Sequence, residues 1–371
     1  MKVIHILYGQ FYDHNGKKLL IGGVETYIRN LSILFSNNGY KVNIYQYANR
    51  EFNISLDFAN IYGVVPDRKK EIKNYNCYKS LVSFAEKNGD CKNDILIFGS
   101  DLGIVKTAFK YVIAIQHGIG WDIQLDYSVN QFKKIKYFIR NCRIAIEKKK
   151  KYNFCNKVVC VDYNFVNWYR TLIVDEMSKI YTITNFTKIP PKLEKRKNSK
   201  LTILFARRFQ KYRGTMIFAD AIKKIFEDGY DIEVVFAGEG PEEEYLKERF
   251  KNNNQVTFTK FHPDESIEFH RKFDIAIVPS IGSEGTSLSL LEAMAASCAV
   301  IVTDVGGLTN IILDNYNGII VRPQSDAIYE ALKRLMNNDY RKILSQNAYD
   351  TVSKSFSYEK WCNSWLEVLK Y

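Results

Sequence analysis

The stretch that most constrains the fold of this chain is residues 274–295, where an apolar run is followed by a polar loop and a helical pattern. Residues 275–278, Ile-Ala-Ile-Val, are wholly apolar and end at a proline, which is typical of a buried strand in a parallel sheet. After a small, polar loop, Leu288, Leu291 and Met294 recur at the spacing of one helix face. The stretch therefore predicts a strand, a loop and a helix.

Two carboxylates accompany this helix, Glu284 in the loop and Glu292 within the helical pattern. The start of such a helix presents backbone N–H groups and a positive dipole end, which suit a phosphate. Carboxylates repel phosphate but accept hydrogen bonds from sugar hydroxyls. With a rise of about 1.5 Å per residue, the two can lie roughly 10 Å apart. A nucleotide sugar fits this pattern, although glutamates at this spacing are also common on ordinary helices.

The length and composition of the chain limit the class of protein to which it can belong. A chain of 371 residues is long for one domain and natural for two, and 46% hydrophobic residues can fill sizeable cores. The apolar N-terminal run is too short for a signal peptide, and no run of apolar residues is long enough to span a membrane. Seven cysteines lack paired metal spacing. These features predict a soluble cytoplasmic protein with reduced, mostly structural cysteines.

The net charge of +12 indicates an acidic partner. The sequence contains no helix-turn-helix, zinc-finger or RNP-like pattern, so nucleic acid is not expected as a partner. An anionic membrane surface and phosphorylated substrates remain.

The first half of the chain alternates strand and helix patterns, which predicts an α/β fold with a parallel sheet. Strands are expected at Val3–Leu7, Lys41–Tyr47, 94–98 and Tyr111–Gln116. Gly22 and Gly23 precede a helical pattern, where they either let backbone approach a ligand or form an ordinary turn. They do not form the dinucleotide G-x-G-x-x-G, so a redox Rossmann enzyme is disfavoured.

His117 follows the strand Tyr111–Gln116 and stands beside two glycines. Ligands bind at the carboxyl edge of open α/β sheets, so His117 is a candidate site residue, the alternative being a structural histidine. Trp121 and Asp122 lie shortly after it.

Residues 132–151 combine a helical apolar stripe with many lysines and arginines. One interpretation is a basic amphipathic helix that attaches to an anionic cytoplasmic leaflet. The other is a helix whose stripe packs on the N-terminal core and whose lysines are solvated. The sequence leaves both open.

The best linker is the basic, proline-interrupted segment 186–200. After it, the strand predicted from Leu201 runs into a loop that is suited to clamping a diphosphate, unless its charges are merely solvated. A second strand, Ile232–Ala237, leads into the glycine turn at Gly238. The charged residues of the first loop are Arg207, Arg208, Lys211 and Arg213, beside Gly214.

The segment from Glu284 to Ala295, E-G-T-S-L-S-L-L-E-A-M-A, resembles the E-x₇-E signature of retaining glycosyltransferases of family 4, which have the GT-B fold. Arg208, Arg213 and Gly214 match the family's arginine, lysine and glycine positions in G-R-L-x₃-K-G. Arg207 replaces the first glycine, which puts the close backbone approach there in doubt.

The resemblance implies a GT-B α/β protein in which two Rossmann-like domains with parallel sheets face a central cleft. The expected limits are an acceptor-binding domain at 1–187, a linker at 188–200, a nucleotide-sugar-binding domain at 201–355, and a C-terminal helix at 356–371 that crosses back to the first domain.

The resemblance also assigns roles to residues. Glu284 would hold hexose hydroxyls and Glu292 the ribose, His117 would lie beside the hexose, and Arg208 and Arg213 would neutralise the diphosphate. Trp121 and Asp122 would contribute weakly to the acceptor site. The remaining donor contacts would be Gly22, Gly23, Gly238, Gly285, Thr286, Ser287 and Leu288.

The implied activity is retaining transfer of a sugar from a nucleotide sugar, UDP being the first expectation and GDP the second. The acceptor would be a glycan or a lipid-linked saccharide, in bacterial surface-polysaccharide or oligosaccharide assembly. No D-x-D motif ends a strand, so neither a metal nor another cofactor is expected. A non-catalytic nucleotide-sugar-binding protein and a same-fold epimerase or phosphorylase remain alternatives. The sequence identifies neither the sugar, the base, the acceptor, the linkage nor the oligomeric state.

Overall fold

The computed structural model describes residues 2–20, 22–66, 78–119, 131–173, 177–191, 200–282 and 284–370. The chain divides into two compact units. The first contains Met1–His117, Val129–Ile183 and Leu366–Tyr371, and the second contains Gly118–Ser128 and Thr184–Trp365. The domain limits and the cleft expected from the sequence stay predictions.

The first unit is built on an eight-stranded sheet with the order β3-β4-β2-β1-β5-β6-β7-β8. Its inner strands are short runs of apolar residues, and every residue of β5 is buried, as in a sheet covered on both faces. The strands are β1 Val3–Leu7, β2 Lys41–Tyr47, β3 Phe52–Leu56, β4 Ala59–Val64, β5 Ile95–Phe98, β6 Tyr111–Gln116, β7 Lys157–Cys160 and β8 Ile180–Thr182.

The edge of this sheet is a hairpin that the sequence patterns did not predict. Strands β3 and β4 pair antiparallel, whereas β4 joins β2 in parallel. The residues of β3 alternate between half-buried and exposed, as expected for an edge strand with one face in water. The turn between the strands, Asp57-Phe58, lacks the glycine that marks most tight hairpins, so it gave no turn signal.

The helices of the first unit cover the sheet through their apolar stripes. The helix Gly23–Asn37 buries Ile28, Leu31 and Phe35, which recur three and four residues apart. The helix Tyr163–Leu172 begins at Asp162, whose carboxylate accepts a hydrogen bond from the Phe165 amide at 3.1 Å. The other helices are Lys79–Asn88 and Gln131–Tyr152.

The second unit is built on a six-stranded parallel sheet with the order β11-β10-β9-β12-β13-β14. Aromatic residues fill one side of its core, where the rings of Phe205 and Phe218 stack with centroids 5.6 Å apart. The strands are β9 Leu201–Ala206, β10 Ile232–Ala237, β11 Val256–Thr259, β12 Ile275–Val278, β13 Ala299–Thr303 and β14 Ile319–Val321.

The helices of the second unit lie between and after these strands. Trp365 is fully buried and Trp361 nearly so. The rings of Phe186 and Trp361 lie 4.7 Å apart, so the segment after β8 packs on the last helix. The helices are Thr215–Glu227, Glu243–Phe250, Ser266–His270, Leu288–Ala295, Ser325–Leu335 and Asn338–Ser355. The last helix, Tyr358–Val368, belongs to this unit as far as Trp365, and its remaining residues belong to the first unit.

The strand order of the second sheet reverses at β9, which has β10 on one side and β12 on the other. In open α/β sheets, ligands bind outside the carboxyl ends of the strands at such a reversal. Here β9 ends at Ala206 and β12 ends at Val278, so the loops that follow these two residues start side by side.

Among the helices that the structure describes, none has the length and apolar character required to cross a bilayer.

Candidate functional site

Strands β9 and β12 bring two distant parts of the sequence together at their carboxyl ends. They pair in parallel, with Ile275 opposite Ile203 and Ala276 opposite Leu204. The loop after β9 carries Arg207 and Arg213, and the loop after β12 carries Ser280 and Glu284. The β9–β12 pairing therefore places two guanidinium groups beside one carboxylate.

The centre of the site is the buried carboxylate of Glu284. Its Oε1 atom accepts hydrogen bonds from Nη2 of Arg207, from Nη1 of Arg213 and, at 2.6 Å, from Oγ of Ser280. Arg207 also donates from Nη1 to Ser280 Oγ at 2.5 Å. The side chains of Arg207 and Glu284 are 6% and 4% exposed, whereas that of Arg213 is 25% exposed. We call Arg207, Arg213, Ser280 and Glu284 the arginine–glutamate cluster.

The charges in this cluster do not cancel. Burial raises the pKa of Glu284, but Arg207 and Arg213 outweigh it and hold that pKa below its usual value. Burial lowers the pKa of Arg207 and the Glu284 charge opposes that shift. Two guanidinium groups and one carboxylate leave a net charge of +1. Because Arg213 is the more exposed arginine, it is the part of the cluster that an anion from solvent can reach.

Glycine residues allow the backbone to close around this cluster. Gly214 has φ of +74°, and a Cβ built there would lie 1.7 Å from the carbonyl oxygen of Pro279. The amide of Ile281 donates to the Tyr212 carbonyl at 2.9 Å. The two loops are thus joined directly through their backbones, which fixes Arg213 next to the β12 loop.

The loop that carries Glu284 is also held from the other side. The amide of Gly307 donates to the Glu284 carbonyl at 2.9 Å. A Cβ at Gly306 would lie 2.4 Å from that same oxygen, so only glycine fits there without rearrangement. The carbonyl of Thr286 accepts from Nδ2 of Asn185 at 2.7 Å. These contacts position the entrance to the helix Leu288–Ala295.

The helix Leu288–Ala295 begins as the sequence pattern predicts, with Ser287 in the extended N-cap position. The Ser287 side chain makes no capping hydrogen bond, and its hydroxyl lies 3.3 Å from that of Ser289. The first-turn amides are therefore not capped by Ser287 and point beyond the helix start. Gly285, Thr286, Ser287 and Leu288, the predicted donor contacts, all lie at this helix start, and their contacts with a donor stay predictions.

Glu292, the second predicted carboxylate, has a different environment. Its Oε2 atom accepts a hydrogen bond from Ser266 Oγ at 2.6 Å. Burial raises the pKa of Glu292 to about 7, and the Ser266 hydrogen bond opposes the shift. Within the described part of the chain, no arginine or lysine contributes to this shift. Glu284 is thus held as a carboxylate, whereas Glu292 is poised between its two protonation states near neutral pH.

Arg208, a predicted diphosphate ligand, is exposed, unlike its neighbour Arg207. Gly238 approaches this point closely, because a Cβ there would lie 2.1 Å from the Arg207 carbonyl oxygen. The structure therefore keeps a close backbone contact at the position where arginine replaces glycine.

The predicted site residues of the first unit lie at the start of its first helix and after β6. Gly22 occupies the N-cap position of the helix that begins at Gly23. Nε2 of His117 donates to the Gly99 carbonyl at 2.8 Å, so Nδ1 is the acceptor nitrogen of the neutral ring. Burial lowers the pKa of His117, and the hydrogen bond to Gly99 opposes that shift. Trp121 and Asp122 lie outside the described residues.

Two members of the cluster, Arg207 and Ser280, were not predicted as site residues. In the sequence, Arg207 was one of the charges of the loop suited to a diphosphate and a departure from a glycine position, but no role was assigned to it individually; Ser280 carried no motif signal. Within the described part of the chain, no three His, Cys, Asp or Glu side chains are grouped as a metal site would require. That the chain acts without a metal stays a prediction.

The sequence of the second unit matches a known protein family. Residues 185–351 match the sequence model of the family described as glycosyl transferases group 1. An uncharacterized glycosyltransferase of Methanocaldococcus jannaschii is 28% identical to the chain over 278 residues, which are 70% of this chain and 68% of the relative.

Solved structures show the same architecture. The chain is similar to the sucrose-phosphate synthase of Thermosynechococcus elongatus, with a TM-score of 0.74 and 15% identity over 99% of this chain and 98% of the other. It is also similar to HepE of Anabaena, solved with UDP and glucose, with a TM-score of 0.70 and 14% identity over 100% of this chain and 99% of the other. These likenesses confirm the predicted GT-B fold. On these matches the chain is an enzyme of the transferase class, and its residues 185–351 are similar to the glycosyl transferases group 1 model.

Proposed function

We propose that the chain transfers a sugar from a nucleotide sugar to a glycan or lipid-linked saccharide, with retention of the anomeric configuration. UDP is the first candidate for the nucleotide and GDP the second. The main support for the proposal is the arginine–glutamate cluster, a group with a net positive charge at the carboxyl ends of β9 and β12. An anionic leaving group bound at this sheet edge would lie where α/β sheets bind their ligands.

The diphosphate would be bound by positive groups from two elements. Arg213, which is partly exposed, and the exposed Arg208 come from the loop after β9. The uncapped amides at the start of the helix Leu288–Ala295 come from the loop after β12. Donors that are already in place where charge develops on a leaving group give the largest catalytic effect in most transfer reactions.

The two carboxylates would bind the two sugars of the donor. Among the described residues, the three side-chain donors to Glu284 all use Oε1, so Oε2 is the atom that would accept a hexose hydroxyl. Glu292 would accept from ribose hydroxyls, which could replace its hydrogen bond from Ser266. Glu284 would then control which sugar reacts, whereas Glu292 would control donor affinity whatever the sugar is.

The transfer step would proceed on one face of the sugar. The acceptor hydroxyl oxygen forms a bond to the anomeric carbon while the bond from that carbon to the diphosphate oxygen breaks. The acceptor proton passes to an oxygen of the leaving diphosphate, and the bonding electrons stay with that diphosphate. The retaining course is supported by the resemblance of Glu284 and Glu292 to the E-x₇-E signature. The UDP and glucose in the Anabaena structure support a uridine nucleotide as the first donor to test.

The first experiment is a thermal-shift panel of nucleotide sugars on the purified chain. A donor present at a hundred times its dissociation constant adds about 2.7 kcal/mol to the free energy of unfolding, which gives a clear rise in Tm. The stabilising donor is then incubated with saccharide acceptors, and NMR of the product reports the anomeric configuration. Retained configuration, unchanged in the presence of a chelator, is the expected result.

Three outcomes would contradict parts of the proposal. An inverted anomeric centre would exclude retention. Stabilisation by a nucleotide sugar without its consumption, across the acceptor panel and by water, would indicate a binding protein. An isomerised donor, or cleavage by phosphate, would indicate an epimerase or a phosphorylase.

A further inference from the structure

The helix Gln131–Tyr152 presents large apolar side chains to solvent. Its first residues extend from the first unit with little burial, and the residues that it buries are Ala145, Lys148 and Tyr152, near its end. The exposed fractions of its apolar side chains are 82% for Phe132, 56% for Ile135, 66% for Phe138, 51% for Ile139 and 51% for Ile146.

These exposed residues form a stripe that is separate from the face by which the helix packs. At about 100° per residue, Phe132, Ile135, Phe138, Ile139 and Ile146 share one side of the helix. Ala145, Lys148 and Tyr152 lie on a side turned away from the centre of this stripe by roughly 120°. Lys148 pairs there with Asp101, which also accepts from the Tyr152 hydroxyl at 2.7 Å. The packing of the helix therefore does not cover its apolar stripe.

Basic residues border the stripe. The helix carries nine lysines and arginines and one acidic residue, Glu147. At the same angular spacing, Lys136 and Arg143 lie beside the Phe132 edge of the stripe and Lys134 lies beside the Phe138 edge. Lys149 and Lys150 lie within the arc of the stripe, at the C-terminal end of the helix. This combination of an apolar stripe with basic flanks is typical of helices that lie in the interface of an anionic membrane.

We propose that the stripe of the helix Gln131–Tyr152 binds an anionic lipid bilayer, with Phe132, Ile135 and Phe138 in the acyl boundary and the flanking lysines and arginines on the headgroups. A second copy of the chain would be a less favourable partner for the stripe than a membrane. Symmetric pairing of two such helices would bring two sets of basic residues together, and like charges in contact repel. The attachment would be peripheral and reversible, because it rests on one helix face.

The test is co-sedimentation of the full chain with vesicles, without donor or acceptor, so the result does not depend on the proposed function. Vesicles of phosphatidylcholine alone are compared with vesicles that contain about one third phosphatidylglycerol. We expect binding to the anionic vesicles that weakens when salt rises from about 0.1 M to about 0.5 M. The F132S/F138S variant should bind at least about tenfold more weakly, since it removes the inserted side chains. The K136E/R143E variant should lose a similar factor, because each basic residue near the surface contributes about fivefold.

A matched control is available on the helix Asn338–Ser355 of the second unit. Ile343 is 59% exposed and Lys342 is exposed, so I343S/K342E changes the same kinds of residue elsewhere. This variant should bind vesicles as the wild type does, and all variants should keep the wild-type circular dichroism spectrum. Equal binding to both vesicle types, or no loss in F132S/F138S, would overturn the proposal. A dimer in light scattering that F132S/F138S dissociates, without vesicle binding, would instead identify the stripe as a protein interface and would equally overturn it.

Discussion

Arg207 and Glu284 form a buried ion pair in which Nη2 of the arginine donates to Oε1 of the carboxylate. Arg207 stands where the glycine of the G-R-L-x₃-K-G pattern would be. Glycine has no side chain, so a chain that followed the pattern would have no ion-pair partner for Glu284 at this position. Ser280 connects the pair, because it accepts from Arg207 and donates to Glu284. Arg207 therefore acts as a positioning residue for the carboxylate.

The R207A substitution should destabilise the second unit by about 3 kcal/mol, because it leaves the Glu284 carboxylate buried with one guanidinium instead of two. Urea denaturation followed by tryptophan fluorescence measures this loss. The R207A/E284A double variant should lose less than the sum of the two single variants, by an interaction energy of about 1–3 kcal/mol. Additive losses would show that the pair does not interact as described.

The matched control is the Arg249–Asp220 pair, whose side chains are 19% and 46% exposed. Because the Asp220 carboxylate is open to solvent, which screens the pair, R249A should cost about 1 kcal/mol or less. Equal losses in R207A and R249A would mean that burial of the cluster adds nothing to its strength.

Much of the sheet architecture was predictable because parallel strands are buried on both faces and read as short apolar runs. The predicted bounds agree with the observed ones for β1, β2, β6, β10 and β12, and the long basic helix was predicted to within one residue at each end. The hairpin of β3 and β4 was missed because its turn has no glycine or asparagine signal. Local sequence thus identifies buried strands better than edge strands.

The partners of the site residues were less predictable. Arg207 and Glu284 are separated by 77 residues, and only the pairing of β9 with β12 brings them together. Burial also decides their chemistry, since Glu284 and Glu292 are the same residue type with pKa shifts of opposite direction. The sequence predicted both carboxylates as site residues, but a tertiary environment cannot be read from a motif.

The second prediction concerns Arg208. Its substitution should change ligand affinity, whereas that of Arg207 should change stability. Arg208 is exposed, so R208A should leave the free energy of unfolding within about 0.5 kcal/mol of the wild-type value. If Arg208 contacts the diphosphate as proposed, the dissociation constant of the R208A variant for the nucleotide sugar should be about 10- to 100-fold higher than that of the wild type. Isothermal titration calorimetry measures the constant.

K251A provides the control for R208A, because Lys251 has an exposed side chain (57%) at the end of another helix. It should change neither stability nor donor affinity. Wild-type donor affinity in R208A would remove Arg208 from the diphosphate site.

The third prediction concerns the close contact at Gly214. Gly214 and Gly229 both have positive φ, +74° and +79°, so alanine at either position should cost about 1–2 kcal/mol from the backbone alone. A Cβ at Gly214 would also meet the Pro279 carbonyl oxygen at 1.7 Å, whereas at Gly229 nothing lies within 4 Å. G214A should therefore be destabilised by about 2 kcal/mol more than G229A. Equal urea midpoints for the two variants would show that the loops after β9 and β12 are not in contact.

The last prediction follows from the raised pKa of Glu292. Its value is about 7 in the folded protein against 4.5 for the ordinary carboxyl group. Between these values the folded state holds a proton that the unfolded state has released, so the contribution of Glu292 to stability falls as pH rises from about 4.5 to about 7. Glutamine cannot ionise, so E292Q should gain stability relative to the wild type over this range, by about 1–3 kcal/mol between pH 5 and pH 8. Urea denaturation at both pH values measures the difference.

The E330Q variant is the control, because the Glu330 side chain is 65% exposed and should show no such change with pH. A constant difference between E292Q and the wild type from pH 5 to pH 8 would mean that Glu292 titrates as an exposed carboxyl group.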